Sequence, residues 1–209
     1  MQDLFAPSET FETLAMDGAD VSRLAHLDLG RPDAEILAEL IEQVPWRAER
    51  IVVFGREVAQ PRLSAWYGDA NAAYTYSGLH LQPHPWTPLL ADLKRRVERA
   101  SGAVFNSVLL NYYRDHRDGM GFHSDDEPEL GPRPTIASLS LGERRVFVMK
   151  RRVARGAAPS VTPPVRIPLD SGCLLLMRGD TQRHWLHGIA KLSRPCGPRL
   201  NLTFRRILR

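Results

Sequence analysis

The stretch that decides the fold class is residues 165–178, which read VRIPLDSGCLLLMR. Two short, mostly apolar runs, Val165–Leu169 and Cys173–Arg178, flank the turn-forming residues Asp170-Ser171-Gly172. Runs of this length between turn residues predict β-strands, and a glycine-containing turn of three residues between two of them predicts a hairpin. The sequence therefore predicts a fold whose core is built from short strands.

More runs of the same kind follow Gly102, and they lie on both sides of this stretch. Strands are predicted at Val104–Tyr113, Thr135–Leu141, Arg145–Lys150 and Leu200–Ile207. Gly142-Glu143 separates the second and third of these and predicts another hairpin. Together with the two runs above, this makes about six strands in the C-terminal half.

Two helices are predicted before these strands. The first lies between Pro32 and Pro45, where apolar residues recur at helical spacing: Ile36, Leu37, Leu40, Ile41 and Val44. The second begins with Thr87 as N-cap and Pro88 in its first turn, and it ends at Gly102. Residues 51–82 contain strand-like patches, whereas residues 1 to about 30 lack a periodic pattern and are predicted to be a loosely ordered lead-in.

Two helices followed by short strands predict an α+β fold in which helices pack on an antiparallel double sheet. The closed form of such a sheet is a jelly roll, or double-stranded β-helix. The chain of 209 residues suits one domain. We expect residues 1–50 to be an N-terminal extension with one helix and residues 51–209 to form the single domain.

Composition excludes several classes of protein. No run of about 18 apolar residues occurs, so a transmembrane helix is not expected, and the first residues do not form a secretory signal. The two cysteines, Cys173 and Cys196, do not indicate a disulfide framework, which fits a reducing cytoplasm. The net charge of +4 is compatible with a polyanionic partner, although the basic cluster at residues 150–155 also fits a solvated loop.

The strongest chemical signal is His123-Ser124-Asp125, with His187 further along the chain. Two imidazoles and one carboxylate form the facial triad of non-haem Fe(II) oxygenases, which leaves the opposite face of the iron open for a cosubstrate and dioxygen. Residues i and i+2 of an extended segment lie on the same side, so His123 and Asp125 can reach one ion. For the third ligand, His116 and His184 compete with His187.

A second signal lies at the C-terminus, where residues 199–205 alternate polar and apolar side chains. Arg199, Asn201, Thr203 and Arg205 would all face one way on a strand. Such a row of donors inside a barrel is costly unless an anion meets it, and a dicarboxylate would do so because guanidinium groups bind carboxylates bidentately. Asn111 and Tyr113 share a face of their own strand and could bind the same carboxylates. The alternative is a basic edge strand facing solvent.

Taken together, these residues resemble the AlkB family of Fe(II)- and 2-oxoglutarate-dependent nucleic acid dioxygenases, most closely its branch for repair of duplex DNA. The matching motifs are Asn111-Tyr112-Tyr113, His123-Ser124-Asp125-Asp126-Glu127, Trp185-Leu186-His187 and the row from Arg199 to Arg205. Residues 67–78 are similar to the family's nucleotide-recognition lid, which is expected at about residues 51–84. The similarity covers the chain from about Ile51 to its C-terminus.

The resemblance implies a metal site and a cosubstrate site. The iron ligands would be His123, Asp125 and His187. The residues that hold 2-oxoglutarate would be Asn111, Tyr113, Arg199, Asn201, Thr203 and Arg205. Arg199 and Tyr113 would take the distal carboxylate, and Arg205 would lie near the end that chelates iron.

The resemblance also implies residues that recognise the base, which must leave the helical stack to reach iron. Tyr74, Thr75 and Tyr76 belong to the lid; Tyr76 would form one wall of the base pocket, and Asp126 would accept a hydrogen bond from the exocyclic amine. The segment Phe54-Gly55-Arg56 would insert an aromatic wedge into the gap and contact phosphate. A core aromatic at Tyr76 and a buried strand phenylalanine at Phe54 are the alternatives.

The implied activity is oxidative demethylation of N-alkylated bases, such as 1-methyladenine and 3-methylcytosine. It would use Fe(II) as cofactor and 2-oxoglutarate and dioxygen as cosubstrates. We expect a monomer that acts on DNA in the cytoplasm, at the nucleoid of a bacterium or in the nucleus of a eukaryote. RNA is the alternative substrate. An oxygenase that acts on protein or a small molecule, and a nucleic acid binder without catalysis, are the rival functions.

Overall fold

The computed structural model describes residues 10–53, 56–72, 74–76, 79–154, 156, 158 and 160–208. In the N-terminal half the elements are β1 (Glu12–Leu14), β2 (Asp20–Leu24), α1 (Asp33–Gln43), β3 (Arg50–Val53), β4 (Arg56–Ala59), β5 (Leu63–Gly68), β6 (Tyr74–Tyr76), β7 (Leu79–Leu81) and α2 (Pro88–Ser101). The C-terminal half contains β8 (Ser107–Tyr113), β9 (Met120–His123), β10 (Ile136–Gly142), β11 (Arg145–Arg151), β12 (Val165–Leu169), β13 (Leu174–Arg178), α3 (Thr181–His184), β14 (Trp185–Ile189) and β15 (Arg199–Arg205).

Two antiparallel sheets form the body of the fold. The larger has the order β1-β2-β13-β10-β15-β8-β5, and the smaller has the order β12-β11-β14-β9. Side chains from both sheets share one apolar core, to which Leu175 and Met177 contribute from β13 and Phe147 and Met149 from β11. The sheets therefore face each other, and the predicted α+β jelly roll with flanking helices is confirmed.

The two long helices cover the other face of the larger sheet. Leu90, Leu93 and Val97 of α2 and Ile36 and Leu40 of α1 share a core with strand residues of that sheet. No helix in the described part of the chain is long and apolar enough to cross a membrane.

The predicted ends of α2 agree with its structure. The Thr87 side chain accepts a hydrogen bond from the backbone N–H of Leu90, which caps the first turn. Gly102 ends the helix in the left-handed conformation, with φ of 67°.

Both predicted hairpins are wrong. β10 pairs with β13 and β15, whereas β11 pairs with β12 and β14, so the turn at Gly142-Glu143 leads from one sheet to the other. The turn at Asp170–Gly172 likewise joins β12 of the small sheet to β13 of the large one. The reason is visible in β13, where Leu174 and Leu176 face the helices and Leu175 and Met177 face the second sheet. A strand that is buried on both faces lies inside a layered sheet, where its neighbours need not be its neighbours in sequence.

The prediction of a loosely ordered lead-in is wrong for residues 12–24. β1 pairs with β2, and β2 pairs with β13 in the larger sheet, where Val21 and Leu24 are buried. The division of the chain after residue 50 stays a prediction. Even so, Leu24 and Ile36 pack in the same core as Leu90 and Leu202, which lie beyond that boundary.

Candidate metal and cosubstrate site

Three side chains predicted to bind metal meet between the two sheets. His123 ends β9 and His187 lies in β14, and the antiparallel register places these two residues directly opposite each other. Asp125 follows β9 by two residues and approaches both rings, with its carboxylate oxygens 3.8 Å from Nε2 of His123 and 4.0 Å from Nε2 of His187. One ligand atom from each residue lies within 4.8 Å of the others. His116 and His184 lie outside this cluster, so the structure selects His187.

Neighbouring groups hold each ligand in place. The backbone carbonyl of Gly121 lies 3.0 Å from Nδ1 of His123; because a carbonyl only accepts, Nδ1 carries the proton and Nε2 is free for a metal. The Gln182 side chain accepts a hydrogen bond from the backbone N–H of Asp125 over 3.0 Å. The ring of Phe147 stacks on His187 at a centroid distance of 5.1 Å. Supporting contacts of this kind orient the ligands of metal sites.

The electrostatics favour the protonation states that a metal needs. Burial raises the pKa of Asp125, but the Arg205 guanidinium and the two imidazoles more than offset burial and bring that pKa to about 2. Burial and the neighbouring His123 lower the pKa of His187 to about 3, and burial also lowers the pKa of His123. Near neutral pH the cluster therefore offers one carboxylate and two neutral imidazoles.

The predicted polar row on β15 lines the cavity between the sheets. Leu200, Leu202 and Phe204 point to the helix-facing core, so the alternate residues face the opposite way. Nine residues predicted to bind metal or cosubstrate line this one cavity: Asn111, Tyr113, His123, Asp125, His187, Arg199, Asn201, Thr203 and Arg205. The alternative of a solvent-facing basic strand is excluded, because β15 lies between β10 and β8 and both of its arginines are buried.

Arg199 supplies the clearest sign of an anionic ligand. Its side chain is 1% exposed, and one terminal nitrogen donates to Ser140 Oγ over 2.9 Å. The other terminal nitrogen and Nε have no hydrogen-bond partner among the described residues. A buried guanidinium with unsatisfied donors in a cavity fits a carboxylate, which accepts two such bonds side by side. Tyr113 lies beside it, with the Arg199 guanidinium 5.2 Å from the ring centroid.

Arg205 joins the polar row to the metal cluster. Its terminal nitrogen donates to Asp125 Oδ1 over 2.8 Å, and both side chains are 2% exposed. Arg199 and Arg205 lie six residues apart on the same face of β15, so the cavity has a cation at each end of the strand. This arrangement fits an elongated dianion whose one end reaches the metal.

Hydrogen bonds orient the remaining polar side chains of the row. Asn201 donates to Ser138 Oγ over 2.7 Å and accepts from the Thr203 hydroxyl over 3.0 Å. Asn111 accepts from Nε of the buried Arg62 over 2.9 Å, which fixes its carbonyl oxygen toward that residue.

Sequence reasoning missed the residues that support this site. Ser138 and Ser140 alternate with the core residues Ala137, Leu139 and Leu141 along β10, and this period-two pattern could have placed them on the cavity face. No local pattern points to Arg62 or Gln182, since their partners lie 49 and 57 positions away in sequence.

The residues predicted to recognise the base are less well placed by the structure. Asp126 is exposed and accepts a hydrogen bond from Arg152 over 2.6 Å, and it lies outside the lining of the metal cavity. Phe54 and Gly55 lie outside the described residues. For Arg56 and for Tyr74, Thr75 and Tyr76, only the strands β4 and β6 are described, each in a two-stranded antiparallel sheet. The roles of all these residues stay predictions.

Comparison with known proteins agrees with this geometry. The model of the 2OG-Fe(II) oxygenase superfamily matches residues 31–205. The human DNA oxidative demethylase ALKBH2 is 44% identical over 184 residues, which cover 86% of this chain and 70% of that protein. The chain belongs to this superfamily, in its AlkB family. The predicted enzyme class and the predicted use of Fe(II), 2-oxoglutarate and dioxygen are confirmed by this membership.

Other relatives extend the comparison of this AlkB family chain. Mouse alpha-ketoglutarate-dependent dioxygenase alkB homolog 3 is 44% identical over 175 residues; the match covers 82% of this chain but only 60% of that longer protein. The solved structure of OsALKBH1 superposes with a TM-score of 0.58 at 17% identity, covering 94% of this chain and all of that one. A 2OG-Fe(II) oxygenase family oxidoreductase from Burkholderia pseudomallei gives a TM-score of 0.54 at 13% identity, covering 88% and 84%. At these identities the two structures show the shared fold alone.

Proposed function

We propose that this chain catalyses Fe(II)- and 2-oxoglutarate-dependent oxidative demethylation of N-alkylated bases in DNA, such as 1-methyladenine and 3-methylcytosine. The observation that carries the proposal is the shared cavity, in which the metal cluster and the unsatisfied donors of buried Arg199 line the same space. The 44% identical human relative is a DNA oxidative demethylase, which supports DNA as the substrate.

In this proposal His123, Asp125 and His187 hold the iron. The lowered pKa values of the two histidines keep protons from competing with the metal, and Arg205 keeps Asp125 anionic. When bound, iron with 2-oxoglutarate and dioxygen supplies the oxidising power that removes hydrogen from the N-alkyl group; the carbon leaves as formaldehyde.

The polar row would bind 2-oxoglutarate along its length. Arg199, beside Tyr113, takes the distal carboxylate, because its unsatisfied buried donors can bond to the carboxylate oxygens. Asn111, Asn201 and Thr203 line the space between, and Arg205 lies near the end that chelates iron. Burial of both arginines in the row keeps water away from the ends of the cosubstrate and strengthens each charge interaction.

The alkylated base would leave the duplex to reach the metal, since its methyl group is inaccessible inside a helical stack. His123 is the most exposed of the three ligands, at 23%, and therefore marks the side from which a base can approach. Tyr74, Thr75, Tyr76 and Asp126 are proposed to recognise the base. Phe54, Gly55 and Arg56 are proposed to fill the gap and contact the backbone.

The proposed partner is DNA, bound by a monomer, at the nucleoid of a bacterial cell or in the nucleus of a eukaryotic one. Wild-type protein with Fe(II), 2-oxoglutarate and ascorbate should release formaldehyde and succinate in equal amounts from methylated DNA. A panel of methylated single- and double-stranded DNA and RNA, with unmethylated strands as the control, would rank the substrates. A preference for RNA would replace DNA in the proposal, and absence of formaldehyde from every methylated strand would contradict it.

A further inference from the structure

A second groove lies beside the metal cavity, and its arginines have no part in the roles described above. Its lining includes three arginines, two aspartates and one glutamine: Arg133, Arg152, Arg183, Asp126, Asp180 and Gln182. These residues come from α3 and the residue before it, from the start of the loop that follows β11 and from the segment between β9 and β10. The groove is therefore assembled by segments that are far apart in sequence.

The arginines of this groove are only partly neutralised. Arg152 pairs with Asp126 at 2.6 Å, and Arg133 pairs more loosely with Asp180 at 3.5 Å. The Arg183 side chain is exposed and has no hydrogen bond or ion pair within the part of the chain that the structure describes. Three guanidinium groups and two carboxylates have a net charge of +1, which matches the single negative charge of one phosphodiester group.

The two ion pairs are weak enough to open for a ligand. All four of their side chains are between 42% and 69% exposed, and pairs in such positions contribute only about 0–1 kcal/mol. An arginine in such a pair can turn to a phosphate oxygen without leaving a buried carboxylate unpaired. A guanidinium also matches the geometry of a phosphate group, to which it can donate two bonds.

The groove and the metal cavity share a wall. Asp126 directly follows the metal ligand Asp125, and the Gln182 side chain accepts the hydrogen bond from the Asp125 backbone. The backbone carbonyl of Gln182 in turn accepts from Arg152 over 3.5 Å. A strand whose base enters the metal cavity would therefore carry its backbone close to this groove.

The backbone that presents Arg133 is held in an uncommon conformation. Its φ of 57° makes it the one non-glycine residue with positive φ in the described part of the chain, and it lies between Pro132 and Pro134. A left-handed conformation costs a non-glycine residue roughly 1–2 kcal/mol, and such residues persist only where surrounding structure imposes them. The two prolines restrict the backbone of this loop, and with it the direction in which the Arg133 side chain leaves the chain.

We propose that this groove binds a phosphodiester group of the substrate strand, next to the nucleotide whose base enters the metal cavity. Arg183 supplies the unpaired cation, and Arg133 and Arg152 add donors once they turn from their aspartates. The inference rests on the proposed function, because a nucleic acid strand must cross the mouth of the metal cavity. It adds the place where that strand is anchored.

The test uses single methylphosphonate substitutions, each of which removes the charge of one phosphate in an alkylated oligonucleotide. Binding of each oligonucleotide would be measured with the wild-type chain, with R183A and with R95A as the matched control. Arg95 is also an exposed arginine, but it lies on α2, which packs against the larger sheet on the side away from the cavity.

At one phosphate position next to the lesion, methylphosphonate should weaken wild-type binding by about tenfold. At that same position, methylphosphonate should weaken the binding of R183A little, because the contact is already lost in that variant. On the unmodified oligonucleotide R183A should bind about tenfold more weakly and should reduce the slope of log affinity against log salt by about one. R95A should keep the wild-type response at that position.

The groove assignment would be overturned if the effects of R183A and of methylphosphonate on binding were additive at every phosphate position. It would also be overturned if R183A and R95A weakened binding equally. Formaldehyde release from the same oligonucleotide by wild-type protein separates the two proposals. If wild type demethylates the strand but no phosphate couples to Arg183, the groove proposal alone fails. If wild type neither binds nor demethylates any alkylated strand, the proposed function fails and the groove proposal fails with it.

Discussion

Arg205 donates a hydrogen bond to the carboxylate of Asp125 over 2.8 Å, and the two side chains are each 2% exposed. This ion pair links the last strand of the larger sheet to a proposed metal ligand that follows the edge strand of the smaller sheet. Burial disfavours the ionised carboxylate and the Arg205 cation offsets burial, so the pair prepares Asp125 for a metal before any metal arrives.

Replacing Arg205 should therefore weaken metal binding. In R205A the guanidinium that offsets the effect of burial on Asp125 is gone, so the pKa of Asp125 should rise above its present value of about 2. Protons then compete with the metal at higher pH. Titration with Co(II), followed by its absorption, should show about 10- to 100-fold weaker binding, with a steeper loss as pH falls. Equal affinity of R205A and wild type across the pH range would contradict this role.

The His123→Ala variant should lose turnover while keeping its fold. Asp125 keeps its ion pair with Arg205 in this variant, so removal of His123 leaves no buried charge without a partner. Formaldehyde release should fall by more than about 100-fold, whereas circular dichroism and the melting temperature should stay close to wild type. D125A should also lose turnover, but it removes the buried ion pair with Arg205 and should be less stable. Normal formaldehyde release by H123A would defeat the metal assignment.

The Arg199→Ala variant should mainly affect the cosubstrate. Removing the guanidinium takes away the donors proposed for the distal carboxylate, so the KM for 2-oxoglutarate should rise on the order of tenfold or more. The KM for the alkylated oligonucleotide should change much less. Both constants would be measured by succinate formation, with R95A as a control of equal charge change. Equal increases in the two KM values would argue against a cosubstrate role.

Asp118 should make the folded state sensitive to acid. It is 4% exposed and accepts three hydrogen bonds from Arg114, one from the backbone and two from the side chain. Burial raises the pKa of Asp118, but the bonds from Arg114 outweigh burial, so the pKa lies below its ordinary value. A lowered folded-state pKa means that this stabilisation is present above the unfolded pKa of about 4 and is lost as pH falls through the folded-state pKa.

The D118N variant tests whether the stabilisation from Asp118 is lost as pH falls. Its free energy of unfolding in urea should be lower than that of wild type by roughly 1–3 kcal/mol at pH 7, and the difference should shrink as the pH falls below about 4. Asp115 in the same loop pairs with Arg117 at a more exposed position, so D115N should cost less and serves as the matched control. A difference between D118N and wild type that grows in acid would contradict the assignment.

The two thiols should differ in reactivity. Cys173 is 2% exposed, and burial raises its pKa to about 11, so almost no thiolate is present at pH 8. Cys196 is partly exposed. Dithiobis(nitrobenzoate) should label one thiol per chain in the native protein and two in urea, and C196S should abolish the fast reaction. Equal rates for both thiols in the native protein would show that the core around Cys173 opens readily.

The parts of the fold that were predictable from sequence are those with a local signature. The proline, threonine and glycine residues around α2 fix its two ends, and six runs rich in aliphatic residues coincide with strands to within a few residues. The two hairpins were wrong because strand pairing is not local. The same turn residues suit a turn within a sheet and a turn between sheets, and only packing on both faces of β10 and β13 decides between them.

By itself the sequence determined which side chains could form the site. The alternation along residues 199–205 and the spacing of His123 and Asp125 depend only on the period of two in an extended chain. Residue types and spacing left His116 and His184 as competitors of His187, and the resemblance to a known family favoured His187. The tertiary structure places His187 in the metal cluster, because the register between β9 and β14 sets it opposite His123. It also decided that Arg62 and Gln182 orient the site, since contacts between residues about 50 positions apart arise only when the sheets pack together.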